Sequence, residues 1–187
     1  MTKTIQLSLA LALALALTAA CSKKGGDDKA AAKGTDKPAV APVWKKIASI
    51  GIEVEVAPDA DVQDNTASSG FPSSTIYSAG TPTTFIFGAK NLDESIAIAK
   101  DLDATKARMQ KEHSDGFKVT KEEKGADGVA FELRATSTDM FEKDKLLHSI
   151  VIRSKVGDMV LDCQTNASSE AEIDATAKLC KSIRAAN

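Results

Sequence analysis

Residues 157–163, Gly157-Asp158-Met159-Val160-Leu161-Asp162-Cys163, form the stretch that decides the fold. The glycine and aspartate predict a tight turn. Met159, Leu161 and Cys163 follow at intervals of two, so we expect a strand that carries all three side chains on one face. This turn and strand set the position of the elements on either side.

A helix is predicted after this strand. Ser169 and Glu172 have the spacing of a capping box, in which each side chain binds the other residue's backbone amide. Residues at helical spacing then predict one stripe that faces the sheet. The stripe consists of Ile173, Ala177, Cys180 and Arg184, with Leu179 and Ile183 beside it.

Two cysteines would meet where this helix packs on the strand. Cys163 lies on the apolar face of the strand and Cys180 on the apolar side of the helix, so both face one interface. In an exported protein such a pair persists as a disulfide bond. Closing a loop of this length with a disulfide bond stabilises the fold by about 3 kcal/mol. The alternative, a redox or metal pair, lacks a Cys-x-x-Cys motif and a histidine nearby in sequence.

Four strands with short connections predict an antiparallel meander before the final helix. A turn at 125–128 separates the first two strands, and a polar loop at 137–144 separates the next two. The third strand is apolar on both faces, as a central strand would be. The strands begin with Phe117 and Val119, then cover Val129 to Ala135, Leu146 to Arg153 and Met159 to Cys163.

The preceding segment predicts three further strands and a helix. Apolar residues alternate with Glu53 and Glu55 from Ile50 to Val56, which indicates a half-buried strand. A polar loop is expected at 59–72, and short strands near 75–78 and 83–88. Asn91, with Glu94 three residues later, predicts the start of a helix. That helix would bury Ile98, Leu102, Thr105 and Met109 and end after His113.

This order of elements resembles the PsbP-like and DcrB-like fold family over residues 43–187. The segments that carry the resemblance are Gly51-Ile52-Glu53-Val54-Glu55-Val56-Ala57-Pro58 and the passage from Val160-Leu161-Asp162-Cys163 to the final helix. The resemblance implies an α+β fold, an antiparallel sheet of about six to seven strands with helices packed on its faces. Few members of that family have a known enzymatic role.

The amino-terminal residues 1–21 read as an export signal. Lys3 precedes an apolar run from Ile5 to Leu17, which is too short to span a bilayer comfortably. Small residues then lead to Cys21, an arrangement that resembles the lipobox of bacterial lipoproteins. The resemblance implies cleavage after residue 20 and acylation of Cys21 with palmitate-type chains, whereas an ordinary signal would leave Cys21 a spare thiol. Ser22 follows, which by the same resemblance favours the outer membrane.

Three segments follow from this interpretation. Residues 1–20 form the lipoprotein signal peptide, residues 21–42 form a lipidated cysteine with a flexible tether, and residues 43–187 form a single α+β domain. The tether contains few large apolar residues and cannot order itself around a core. The mature chain has 23 basic and 26 acidic residues, a balance that argues against a nucleic-acid partner.

Residues with catalytic or metal-binding chemistry are few. The sequence has no GxGxxG, GxxxxGK[ST], GxSxG or HExxH motif. Of the two histidines, His113 is expected at a helix end and His148 in a strand, and structural roles explain both. Glu53 and Glu55 would share one wet strand face, where a carboxylate pair is commonplace.

A polar cluster in the first loop offers a calcium site or, alternatively, a solvated turn. The cluster consists of Asp59, Asp61, Asp64 and Asn65. Asp64 occupies the sixth position, where an EF-hand needs glycine, and Gly70 occupies the twelfth, where the bidentate glutamate belongs. We therefore expect no resident metal and no cofactor.

These observations predict a lipid-anchored envelope lipoprotein with no enzymatic activity, whose domain interacts with another envelope protein. The alternative is a carrier or sensor that holds a lipid or small ligand between helix and sheet. That alternative requires an apolar pocket of about 300 Å³ or more.

The acylated thiol can be tested by substitution. Cys21→Ala removes the only acceptor for the anchor, so we expect the domain to move from the membrane pellet to the soluble fraction. Fractionation followed by immunoblotting measures the change. A variant that stays in the pellet would contradict the anchor.

Overall fold

An antiparallel sheet of seven strands is central to the described structure. The computed structural model describes residues 41–113, 116–139, 142 and 144–187. The strands are β1 (Val43–Ile47), β2 (Ile52–Val56), β3 (Asp61–Asp64), β4 (Ser73–Tyr77), β5 (Thr84–Ala89), β6 (Lys118–Lys124), β7 (Phe131–Thr138), β8 (Leu146–Val156), β9 (Met159–Ala167) and β10 (Arg184–Ala185). The helices are α1 (Thr66–Ser69), α2 (Leu102–Glu112) and α3 (Glu170–Ser182), with a 3-10 turn at Leu92–Glu94.

The large sheet has the order β3-β4-β5-β9-β8-β7-β6, and a small sheet has the order β1-β2-β10. Every described strand pair is antiparallel. The sheet therefore confirms the α+β class, and β6 to β9 form the predicted meander. Strands β9 and β8 lie at its centre.

Helix α3 and the small sheet pack on one face of the large sheet. Met159, Leu161 and Cys163 point to this face and are at most 5% exposed. Ile173 and Cys180 of α3 join the same core cluster, together with the apolar residues of β2. The structure contains the disulfide bond between Cys163 and Cys180 that the sequence predicts, with an S–S distance of 2.01 Å.

Helix α2 packs on the opposite face. Its core residues are Leu102 and Met109, which contact a cluster formed by Phe131, Leu133, Ala135 and Val151 of β7 and β8. The predicted burial of Leu102, Thr105 and Met109 is confirmed. The helices thus lie on both faces of the sheet.

The prediction that this helix begins at Asn91 is wrong. The Asn91 side chain accepts a hydrogen bond from the Asp93 amide and caps only the 3-10 turn. Helix α2 begins at Leu102, where the Asp101 carboxylate accepts from the Ala104 amide. Between the two, the Ser95 hydroxyl oxygen accepts hydrogen bonds from backbone amides of residues 97 and 98.

Two arginines bind the carbonyl groups of this non-helical segment. Arg108 donates to the Ala97 carbonyl at 3.2 Å, and Arg153 donates to the carbonyls of Ala99 at 2.7 Å and Lys100 at 3.4 Å. A longer helix would use these carbonyls within its own backbone. The segment therefore follows the sheet surface because distant side chains satisfy its polar groups.

A buried ion pair holds Arg153 in place. Its guanidinium group forms two hydrogen bonds with the Asp162 carboxylate, at 2.7 and 2.9 Å, and lies 4.6 Å from the centre of the Phe131 ring. The side chains of Arg153 and Asp162 are 1% and 0% exposed. A charge pair this deeply buried depends on both partners being present.

Three further predictions differ from the structure. The predicted loop at 59–72 contains β3 and α1. The first strand begins at Ile52 instead of Ile50, because residues 48–51 form a turn in which Gly51 has a φ of 74°, and β1 precedes it. Arg184 lies in β10 beyond α3, paired with Glu53 of β2, because the helix ends at Ser182.

Asp162→Asn leaves the buried guanidinium group of Arg153 without its counter-charge. We therefore expect the free energy of unfolding to fall by about 3–5 kcal/mol. The single variants Arg153→Met and Asp162→Leu each leave one buried charge unpaired, so the double variant Arg153→Met/Asp162→Leu should lose less stability than these two single variants combined. Urea unfolding followed by circular dichroism measures each variant.

Asp158→Asn is the control, because the Lys90–Asp158 pair is more than 70% exposed on both sides and should change stability by less than about 1 kcal/mol. Single variants whose effects simply add in the double variant would contradict the coupling.

Candidate ligand-binding cleft

A cleft of about 250 Å³ opens between helix α3, strand β2 and the β4–β5 hairpin. Its floor consists of four buried side chains, which are Val56, Ile76, Thr84 and Thr176. Ala175 and Lys178 lie at its exposed rim. The cleft therefore has an apolar interior and an opening to solvent.

The helical wall of the cleft follows from the periodicity of α3. Ala175, Lys178, Leu179 and Ser182 line the cleft and have the spacing i, i+3, i+4, i+7, which places them along one side of a helix. A neighbouring stripe, Ile173, Ala177 and Cys180, is buried in the core. Burial of one stripe thus presents the other to the cleft.

Hydrogen bonds fix the carboxyl end of α3 to the small sheet. The Ser182 hydroxyl donates to the Leu179 carbonyl at 2.7 Å and accepts from the Glu55 amide at 3.1 Å. At the other end of α3, both halves of the predicted capping box between Ser169 and Glu172 are present. The hydrogen bonds that Glu172 accepts from Ser168 and Ser169 lower its pKa.

An ion cluster joins α3 to the large sheet away from the cleft. Glu132 of β7 lies 3.0 Å from Lys121, 2.7 Å from Arg134 and 2.7 Å from Lys181 of α3. Arg134 also pairs with Asp174 of α3 at 2.6 Å. Burial raises the pKa of Glu132, but its close contacts with the three cations outweigh it and lower the pKa to about 2.

Lys178 differs from the lysines of that cluster. Its ammonium group has no hydrogen-bond or ion-pair partner among the residues that the structure describes. It lies on the stripe that faces the cleft, at the exposed rim. The cleft therefore has one cationic group at its mouth that is available to a ligand.

The two glutamates of β2 do not act together. Glu53 pairs with Arg184 at 2.5 Å, and the Arg184 guanidinium group stacks over the Trp44 ring at 3.6 Å. Glu55 contributes to the cleft lining, and its backbone amide donates to Ser182. The side chain of Glu53 thus stabilises the outer face of the small sheet.

The acidic loop is used for local structure. Asp64 accepts hydrogen bonds from Ser49 and from the Thr66 amide, and these bonds lower its pKa, with the Ser49 side chain as the largest cause. The Asn65 side chain donates to Thr75 at 2.7 Å. Within the described ranges, no group of three or more acidic, histidine or cysteine side chains is placed to hold a metal ion.

The remaining predicted residues lie apart from the cleft. His113 is the carboxyl-terminal cap of α2, where its amide donates to the Met109 carbonyl at 2.9 Å, and His148 is in β8. Cys21 and most of the tether, residues 21–40, lie outside the described residues. Among the residues that are described, no helix is long and apolar enough to cross a membrane.

The β4–β5 hairpin carries an aromatic surface that was not among the sequence predictions. Tyr77 and Phe85 are 43% and 39% exposed, and Phe85 stacks on Phe87 with ring centres 6.3 Å apart. Phe71 contacts Phe87 in turn. The alternation Phe85-Ile86-Phe87 could have indicated this surface. Because Ile86 is buried, the two phenylalanine rings point to the other face of the strand.

Comparison with known proteins gives a similarity of fold. No family model matches the sequence, and no curated protein sequence matches it. The solution structure of cyanobacterial PsbP (CyanoP) from Synechocystis sp. PCC 6803 is 10% identical, covers 80% of this chain and 95% of its own, and has a TM-score of 0.50. The PsbP-like fold implied by the sequence is thereby confirmed.

A second solved structure, the Ran-binding protein Mog1p of Saccharomyces cerevisiae, is 11% identical. The match covers 78% of this chain and 96% of that chain, with a TM-score of 0.48.

The ion cluster around Glu132 predicts a pH-dependent contribution to stability. The folded-state pKa of about 2 lies below the ordinary value of 4.5, so the contribution is full above about pH 5 and is lost as the pH falls toward 2. We expect Glu132→Gln to be less stable than the wild type at pH 7, by about 1–3 kcal/mol, with the difference shrinking toward pH 2.

Urea unfolding at several pH values measures this difference. Glu142→Gln is a control. Because the Glu142 side chain is more than half exposed, this variant should change stability little at any of these pH values. A Glu132→Gln deficit that is constant between pH 7 and pH 2 would contradict the assignment.

Proposed function

We propose that this chain is a lipid-anchored lipoprotein of the bacterial outer membrane whose α+β domain binds a small apolar ligand in the α3 cleft without catalysing a reaction. The cleft is the observation that supports binding. The export signal and Cys21 in the sequence support the anchor.

The size of the cleft indicates the size of the ligand. A cavity of about 150 Å³ accommodates benzene, and sites for drug-sized molecules begin near 300 Å³. At about 250 Å³ the cleft lies between these values and is smaller than the pocket of about 300 Å³ or more that was expected for a carrier of a larger ligand. It therefore suits a small ligand or one chain of a larger lipid.

The walls of the cleft are held in position. The disulfide bond fixes α3 to β9, the Glu132 cluster fixes it to β7, and Ser182 fixes its end to β2. A rigid site loses little conformational entropy when a ligand binds. These constraints favour a preformed binding site.

The contacts of the candidate acid and base residues support a role without catalysis. Glu53 is paired with Arg184, and Asp64 organises the turn before α1. Of the predicted carboxylates that the structure describes, Glu55 lines the cleft, but its predicted partner Glu53 does not. The proposed function therefore rests on binding.

The second candidate is an accessory role in which the domain binds an envelope protein. The exposed rings of Tyr77 and Phe85 favour it, because exposed apolar patches mark partner sites. This surface is separate from the cleft floor.

Ligand binding in the cleft can be tested by photolabelling. Membranes containing the full chain are irradiated with a ten-carbon alcohol that carries a photoreactive diazirine, and labelled peptides are mapped by mass spectrometry. We expect labelling of the peptides that contain Ile76 and Leu179. Ala175→Trp places a large ring at the rim and should reduce that labelling at least fivefold.

Ala171→Trp is the matched control. Ala171 is also exposed on α3, one turn earlier, but does not line the cleft, so this variant should keep the labelling. Labelling that ignores Ala175→Trp would contradict ligand binding in the cleft. Crosslinking of Tyr77 or Phe85 to one reproducible protein would then favour the accessory role.

A further inference from the structure

We infer that the cleft is specific for a single aliphatic chain that ends in a carboxylate, with the chain inside and the carboxylate paired with Lys178 at the mouth. This inference rests on the proposed function and specifies the ligand class of the same site.

The lining favours a flexible aliphatic chain over a flat ligand. The interior is formed by aliphatic side chains and by small or methyl-bearing residues, among them Val56, Ile76, Leu179 and Ala57. None of the described residues that line the cleft is aromatic. Sugars and nucleobases are usually held by stacking on aromatic rings, so the lining does not offer the contacts that they use.

The depth of burial supplies the driving force. Val56 and Ile76 are 3% and 2% exposed, so a chain that reaches the floor is removed from water. Each methylene group that moves from water into the cleft adds to the affinity. The chain would therefore provide most of the affinity.

The charge at the mouth selects the head group. Lys178 shares the cleft-facing stripe with Ala175 and Ser182 and, within the described structure, has no partner. Ser182 is already committed to the Leu179 carbonyl and the Glu55 amide. An anionic head group would therefore complement Lys178, the charged side chain that this stripe presents at the mouth of the cleft.

Glu55 does not cancel this charge. Successive residues of a strand point to opposite faces, and Val56 points to the cleft floor. Glu55 therefore projects from the opposite face of β2, the face that it shares with its register partner Trp44, and it forms no ion pair with Lys178 in the described structure. Its backbone amide lies beside the cleft, where it donates to Ser182.

Paired photoprobes separate the head group from the chain. Membranes containing the full chain are labelled with a ten-carbon diazirine carboxylate or with the matching alcohol, and the ratio of the two labels in the cleft peptides is measured. Comparing this ratio between variants cancels the different partitioning of the probes into the bilayer. We expect Lys178→Gln to lower the carboxylate-to-alcohol ratio about two- to fivefold, the range of an exposed ion pair.

Lys111→Gln is the control, because Lys111 is an exposed lysine of α2 and does not line the cleft. It should leave the ratio unchanged. The effect of Lys178→Gln should also decrease at high salt, since an exposed pair is screened.

The outcomes distinguish this inference from the proposed function. If Ala175→Trp reduces both labels but Lys178→Gln leaves their ratio unchanged, the cleft binds apolar ligands and the carboxylate specificity is wrong. If Ala175→Trp affects neither label, the proposed function itself fails. If Ala175→Trp reduces both labels and the carboxylate-to-alcohol ratio falls in Lys178→Gln but not in Lys111→Gln, both the proposed function and the carboxylate specificity are supported.

Discussion

The burial of one stripe of helix α3 against the large sheet is the constraint on which the rest of this structure depends. Ile173, Ala177 and Cys180 are at most 4% exposed, and Cys180 is bonded to the central strand β9. Because the helix is fixed in rotation, its next stripe must face the gap toward the small sheet. The position of β10 and the helical wall of the cleft both follow from this packing.

The opposite face of the sheet depends on a different kind of interaction. There the buried pair of Arg153 and Asp162 holds a non-helical segment across the sheet through carbonyl groups at 99 and 100. The capping signal at Asn91 favoured a helix from that residue. In the structure the Asn91 side chain does form a cap, but the cap serves a single 3-10 turn. Arg153 is more than fifty residues away in the chain, so no local pattern reveals that it competes for these carbonyls.

The cleft and the anchor are complementary parts of the proposal. A lipid at Cys21 would keep the domain at a membrane, and the ligand proposed for the cleft is an amphiphile with one aliphatic chain. The cleft has the size, the apolar floor and the cationic rim that suit such a molecule. The aromatic surface of the β4–β5 hairpin lies on the other face of the sheet and leaves the cleft free.

The sequence alone determined the meander, the final helix with its capping box, and the disulfide bond, because these depend on periodicity, turn residues and spacing between neighbouring elements. The proposed anchor signal likewise rests on local composition alone. Only the tertiary structure decided where α2 begins, how Arg184 pairs with β2, and that Lys178 faces a cleft. Each of these depends on side chains that are far apart in the chain, and their contacts exist only after the sheets and helices have packed.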